Sequence, residues 1–441
     1  MVAADLMAAR QQMALSLGWH IVIACLGVGF PALILIAERR ANTTGDPLLL
    51  ALARRWSKAL AVLFAVGAVS GTILSFELGV LWPGMMSRFG DVIGLPFAIE
   101  GFAFFIEAIF IGIYLYGWDR LAPKTHWWTG VPIVISGTAS ALFVVAANAW
   151  MNQPTGFRVD ASGNVVDIDP VAAMFNRALW PEATHMILAA FIVSGFLVAS
   201  VHANALRKDR TSRHHQAAFT IAFSVAALAV PAQLIVGDWA ARFLFHYQPT
   251  KFAALEGVET TGDHQPLHIG GLFIDGRVRY GLPIPDGLSL LAGHSTSTVV
   301  AGLDQVPADR TPPVAIVRLA FQVMVATGFG LLALGVWFGW CQWRRQALPR
   351  SAWFLRLAML TGPAAVVALE AGWIVTEVGR QPWIVYGVLR VKDAVTDAAG
   401  IRVGYWLLLG VYSALTVVTV VVLRRIARSP VDQAVAVVPV P

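Results

Sequence analysis

The sequence predicts an all-α, polytopic integral membrane protein of about nine transmembrane helices with one long outer loop, and three observations carry that prediction. Of 441 residues, 57% are hydrophobic and only 13% are charged, about half the charged share of a soluble domain. The mean hydropathy is +0.67, so the chain lacks the polar surface to face water, and lipid is the solvent that fits. Apolar runs of about 20 residues recur along the chain, each long enough to cross a bilayer as a helix.

The first run, residues 14–37, is too long for the core of a signal peptide. Residues 1–12 hold a single positive residue, Arg10, and the run ends in Glu38-Arg39-Arg40, so it reads as a retained first helix. Further runs follow at 57–81, 95–117, 129–150, 183–204, 217–237, 317–341, 355–377 and 403–423. This divides the chain into a six-helix part (1–237), a connection (238–316) and a three-helix part with its tail (317–441). Loops as long as the connection are usually functional or disordered. No internal repeat is evident, and the Val/Pro/Ala-rich tail from Ser429 to Pro441 is expected to fray.

Charge sets the orientation. Alternate loops hold seventeen Lys and Arg, among them Arg39, Arg40, Arg54, Arg55, Arg207, Lys208, Arg344 and Arg345, against eight in the opposite short segments. The positive-inside rule puts the richer set in the cytoplasm, the amino terminus outside and, after nine spans, the carboxyl terminus inside. The net charge of +6 does not point to nucleic acid, because the basic residues sit in short clusters between spans. Cys25 and Cys341 have no disulfide or metal spacing and read as packing residues. Trp19, Trp82, Trp118, Trp127, Trp128, Trp150, Trp340 and Trp343 fall at span ends, where interfacial belts form.

Ionisable groups inside spans are expensive and default to function. His20 lies about two turns into the first span from outside, and His185 begins the fifth at its outer end. Met324 lies about two turns into the seventh span, and Glu370 about two turns before the outer end of the eighth. Four potential metal donors on four helices therefore share one depth. Singly, a membrane His more often bonds a neighbouring helix and a Met more often packs; the shared depth is what favours ligation. Glu100 and Glu107, seven residues apart, share a helix face about 10 Å apart and suit a proton relay, with Ser140 and Asn148 on the next helix to hold water. A pair of protonated carboxyls fixing helix packing is the plainer reading. Glu77 and Glu377 have weaker support.

Eight stretches together resemble subunit I of the cytochrome bd oxidases, in family order across nearly the whole chain. They are Gly18-Trp19-His20; Ala98-Ile99-Glu100-Gly101 with Phe104-Phe105-Ile106-Glu107; Gly117-Trp118-Asp119-Arg120; and Ala147-Asn148-Ala149-Trp150-Met151. The others are Gln248-Pro249-Thr250-Lys251 with Glu256, Phe321-Gln322-Val323-Met324-Val325, Glu370-Ala371-Gly372-Trp373 and Gly379-Arg380-Gln381-Pro382-Trp383.

The resemblance implies that His185 and Met324 are the axial ligands of a low-spin haem b. His20 and Glu370 would be single ligands of two high-spin haems, one haem b and one haem d (or a third haem b). It places Lys251 and Glu256 in quinol oxidation on the outer loop, here of the short kind, and Glu100 and Glu107 on the proton path. Arg10 and Arg380 could pair haem propionates. The implied activity is a terminal respiratory oxidase of the bacterial inner membrane, in which quinol is oxidised outside, O2 is reduced to water and protons come from the cytoplasm. A second large membrane subunit and a small single-helix subunit are the implied partners, with quinol, O2 and membrane lipid and no nucleic acid. Two positions depart from the family pattern: Gln322 stands where Arg is common and Val366 where Trp is common. The alternatives are a bd-like oxidase with altered donor or haem content, such as a cyanide-insensitive type, and, more distantly, a secondary transporter.

Overall fold

A computed structural model describes residues 2–429; the tail expected to fray falls outside them from residue 430. The helices are α1 (Val2–Thr44), α2 (Pro47–Leu81), α3 (Pro83–Gly117), α4 (Pro123–Asn152), α5 (Pro170–Met174) and α6 (Leu179–Lys208). They continue with α7 (Arg213–Tyr247), α8 (Pro249–Glu256), α9 (Gly287–Gly293), α10 (Val314–Arg345), α11 (Ala352–Val378) and α12 (Ile401–Arg428). Among the described residues nine of these are long and apolar enough to span a membrane, all but α5, α8 and α9.

The spanning helices outrun their apolar cores. α3 begins at Pro83 where hydropathy predicts 95, and α7 continues to Tyr247 where it predicts 237. A helix satisfies its own backbone and continues until a capping or breaking residue ends it, whereas a hydropathy window closes at the first polar turn. Proline at the first turn starts α2, α3 and α4, and Asp46 caps α2 by accepting from the Leu48 amide at 2.9 Å. The connection before α10 is accordingly residues 248–313, shorter than the 238–316 expected.

Consecutive spans pack as antiparallel neighbours, α1 on α2, α3 on α4 and α6 on α7, with α11 against α6 and α10. Small residues let the backbones approach. A Cβ on Gly29 of α1 would stand 2.6 Å from Oγ of Ser194 on α6, whose hydroxyl donates to the Cys25 carbonyl. Cys25 and Cys341 are both buried and unpaired.

The Arg-rich turns gather at one end of the bundle, joined by Arg54 to Asp119, Arg213 to Asp46 and Arg210 to the carbonyls of Arg350 and Ser351. The long connections gather at the other. There β1 (Arg158–Val159) pairs with β2 (Val165–Val166), β3 (Leu267–Ile269) with β6 (Leu282–Ile284), β4 (Leu272–Ile274) with β5 (Arg277–Arg279), and β7 (Trp383–Val385) with β8 (Leu389–Arg390). Backbone bonds from Gly84 to Ala394, Thr396 to Leu81 and Tyr386 to Met151 tie these loops to helix ends. Trp82 and Trp150 are buried in the apolar cluster beneath, with Phe89, Val385 and Leu389. Those two tryptophans are core residues and not part of the interfacial belt.

Candidate functional site

Each of the four candidate donors lies against a glycine of a neighbouring helix. A Cβ on Gly71 of α2 would stand 3.2 Å from Cε1 of His20, and one on Gly237 of α7 would stand 3.5 Å from Cε1 of His185. One on Gly372 of α11 would lie 3.1 Å from Sδ of Met324, and one on Gly18 of α1 would lie 3.3 Å from Oε2 of Glu370. Gly18 and His20 share a turn of α1, and Glu370 and Gly372 share a turn of α11, so α1, α10 and α11 bring three donors to one level. Packing of Gly362 against Leu197 and Ser200 sets the antiparallel register of α11 on α6. The same rise along both helices carries Glu370 and Gly372 to within about a turn of His185.

The imidazole of His20 is oriented by Ser70. Its Nδ1 is 2.8 Å from Oγ of Ser70, which also lies 3.1 Å from the carbonyls of Val66 and Gly67. Those carbonyls can only accept, so they take the single hydroxyl hydrogen. Ser70 therefore accepts from Nδ1–H and leaves the lone pair on Nε2. Nδ1 of His185 is buried with no protein partner.

At the loop-bearing end a polar network covers this level. Glu377 accepts from Asn148 at 2.6 Å and from Arg380 at 2.5 Å, and Arg10 donates to Gln381. Asn148 thus serves Glu377 and not the Glu100–Glu107 pair. Lys251 is 2% exposed and donates to Oδ1 of Asn152 and to the carbonyl of Thr376, each at 3.2 Å. Gln248, three residues earlier, donates to the Asn152 carbonyl at 2.6 Å. Lys251 was expected on the loop away from the spans. Its side chain instead turns inward between the ends of α4 and α11, where unsatisfied helix carbonyls attract a cation. Burial lowers its ammonium, partly countered by Glu182.

Glu256 ends α8 and is 4% exposed, with Oε2 lacking a protein partner. Burial pushes its carboxyl up to about 7, with the Arg318 guanidinium pulling the other way. It lines a cavity of about 250 Å³ with Glu259, Gln265, His268 and Arg277. Arg318 of α10 is fully buried and donates to the carbonyls of Glu256 (2.5 Å), Gly270 (2.7 Å) and His268 (3.2 Å). Gly257, at φ +69°, makes the reversal there; a Cβ would meet Val278 at 2.6 Å. Gln322, one turn along from Arg318, accepts from the Gly270 amide at 2.9 Å. Sequence reasoning passed over Arg318, although an arginine inside an apolar run is itself a signal.

On α3, Glu100 accepts from Ser140 at 2.9 Å, and Glu107 is buried beside Gly137. Glu77 accepts from Gln12 at 2.8 Å on the α1–α2 seam.

The donor set fits iron that brings its own macrocyclic ligands. Among the described residues no three His, Cys, Asp or Glu side chains gather as a metal site, but single donors stand at one level beside glycines. The cover fits too, since Nε of Arg10 and Nε and Nη1 of Arg380 are buried donors without partners, ready for carboxylates such as propionates.

The chain also matches known proteins along nearly its whole length. Residues 8–431 match the family described as cytochrome bd terminal oxidase subunit I. A Bacillus subtilis protein with the provisional name cytochrome bd menaquinol oxidase subunit I is 38% identical, over 97% of this chain and 98% of its own. The cytochrome bd-II ubiquinol oxidase subunit 1 of Escherichia coli is 26% identical over 95% of each chain. The solved bd oxidase from Geobacillus thermodenitrificans superposes with a TM-score of 0.91 at 38% identity, covering 97% of this chain and 99% of that one.

Proposed function

The chain belongs to the cytochrome bd terminal oxidase subunit I family, and from that premise we propose that it oxidises quinol at its loop-bearing end and delivers the electrons to oxygen, forming water. The observation that carries the reading is the common level of His20, His185, Met324 and Glu370, each against a glycine. The transporter alternative falls with the family. The second large membrane subunit with which bd oxidases work is the expected partner, and a small single-helix subunit is a further candidate. The basic end faces the cytoplasm in this reading.

His185 and Met324 would hold a low-spin haem, while His20 and Glu370 would each hold a high-spin haem. Haem supplies one-electron carriage and, at an open iron, oxygen binding. Ser70 fixes the His20 tautomer, and the free donors of Arg10 and Arg380 would bind propionates. Glu256 is the base that takes a quinol proton, and its cavity, with His268, opens a route outward for that proton. Lys251 is a positioning residue that seats α8 on α4 and α11. Glu107 and Glu100 carry protons from the basic end towards the site of oxygen reduction.

The carboxylate form of Glu256 is the active base, so its pKa of about 7 makes quinol-driven kcat/KM fall as pH drops below about 7 and level off above it. Glu256→Gln should flatten that limb and slow the quinol reaction by about a hundredfold, while an artificial electron donor still drives oxygen uptake. Equal loss with both donors would make Glu256 structural and contradict the assignment.

A further inference from the structure

Three buried side chains fill the space between α1, α3 and α4 at the basic end, and no role above uses them. Glu38 is 1% exposed and His126 is 2% exposed. Glu38 accepts from the Tyr114 hydroxyl at 2.6 Å, and its other oxygen lies 2.7 Å from Nδ1 of His126. Nε2 of His126 is 2.9 Å from the Tyr114 carbonyl, which can only accept, so Nε2 carries a hydrogen. One further proton is then shared between Nδ1 and the Glu38 carboxyl. The imidazole packs against the rings of Tyr114 and Trp118, with centroids 4.4 and 4.0 Å away. Lys124 and Thr125, the two residues before His126, are exposed, so water reaches the edge of the cluster.

The position of the cluster gives it a use. Glu100, Glu107 and Tyr114 are spaced by seven residues along α3, so they share one face at steps of about 10 Å. α4 follows the same line: Ser140 bonds Glu100, Gly137 lies opposite Glu107, Gly130 lies opposite the Tyr114 ring, and His126 sits in its first turn. A Cβ on Gly137 would come within 3.3 Å of Oε1 of Glu107, and one on Gly130 within 3.0 Å of Cε2 of Tyr114.

We infer that Glu38, Tyr114 and His126 form the inlet through which protons from the basic end reach Glu107; this rests on the proton path assigned above to Glu107 and Glu100. A proton from water enters the His126–Glu38 pair. The Tyr114 hydroxyl first turns from Glu38 to water on the Glu107 side; protonated Glu38 then passes its proton to the Tyr114 oxygen as the original hydroxyl hydrogen leaves to that water. The new O–H faces Glu38 again, and every group regains its starting state with one proton moved inward. In this inlet water carries the proton over the two turns between Tyr114 and Glu107.

Tyr114→Phe, in the complete oxidase in membranes, keeps the ring packing and removes the relay. Turnover per haem should fall at least about fivefold, short of the hundredfold typical of a group acting in the chemistry itself. The solvent deuterium isotope effect on the remaining turnover should rise, and anaerobic haem reduction by quinol should stay unchanged. A merely structural latch would give fewer haem-loaded sites of normal rate and isotope effect, which overturns the inlet. Normal turnover in Tyr114→Phe with slowed turnover in Glu107→Gln overturns the inlet and leaves the path standing. Normal turnover in both removes the path and the inlet with it.

Discussion

His20, His185 and Glu370 stand out in the sequence as candidates because an ionisable group in an apolar run is costly and therefore conspicuous, and Met324 joins them by its depth and by the resemblance. What each side chain touches was not legible. Asn148 was paired in expectation with the α3 relay and bonds Glu377 instead. Lys251 was expected to face the loop and is buried between helix ends, because sequence fixes a residue's place along the chain but not the direction its side chain takes. Glu377, given little weight from sequence, is held by both Asn148 and Arg380. The ligand assignments are tested by haem content in single variants. His185→Ala and Met324→Leu should each abolish the low-spin haem b signal while the protein still inserts, and Glu370→Gln should remove a high-spin haem. Full low-spin signal in both of the first variants contradicts that pair. Loss of a high-spin haem in Glu377→Gln with Glu370→Gln intact would move the ligand seven residues along α11.

At the level of elements, the spans and their order were legible because hydropathy needs only composition over about 20 residues. Their ends were not, since α3 and α7 continue through polar turns that pack on loops. The small hairpins were equally hidden, and so was a buried anchor of the long connection. Arg318 ties the end of α8 to the β3–β4 turn through the carbonyls of Glu256, His268 and Gly270. Gln322 adds the Gly270 amide, so a position that departs from the family pattern has a structural task here. Arg318→Met keeps the methylene packing and strands these carbonyls, each costing about 1–3 kcal/mol if left unpaired. Limited proteolysis of that variant should cut within 248–313 at least about tenfold faster, since about 1.4 kcal/mol already shifts an opening equilibrium tenfold, and the haem spectra should be retained. Proteolysis at the wild-type rate would show that the connection is held elsewhere.

For the whole molecule, apolar composition dictated the bundle, and the proposed orientation rests on the sidedness of Lys and Arg. The function came from the order of motifs along the chain, which the fold and the family both support. The central claim is that quinol and oxygen exchange electrons through haem held in this bundle. It is tested most directly by the absorption difference spectrum of the purified oxidase, reduced anaerobically by quinol and then exposed to oxygen. Quinol should produce the bands of both low-spin and high-spin haem, and oxygen should return them to the oxidised form within turnover time. A haem-loaded preparation that quinol does not reduce, or that oxygen does not reoxidise, would contradict the account.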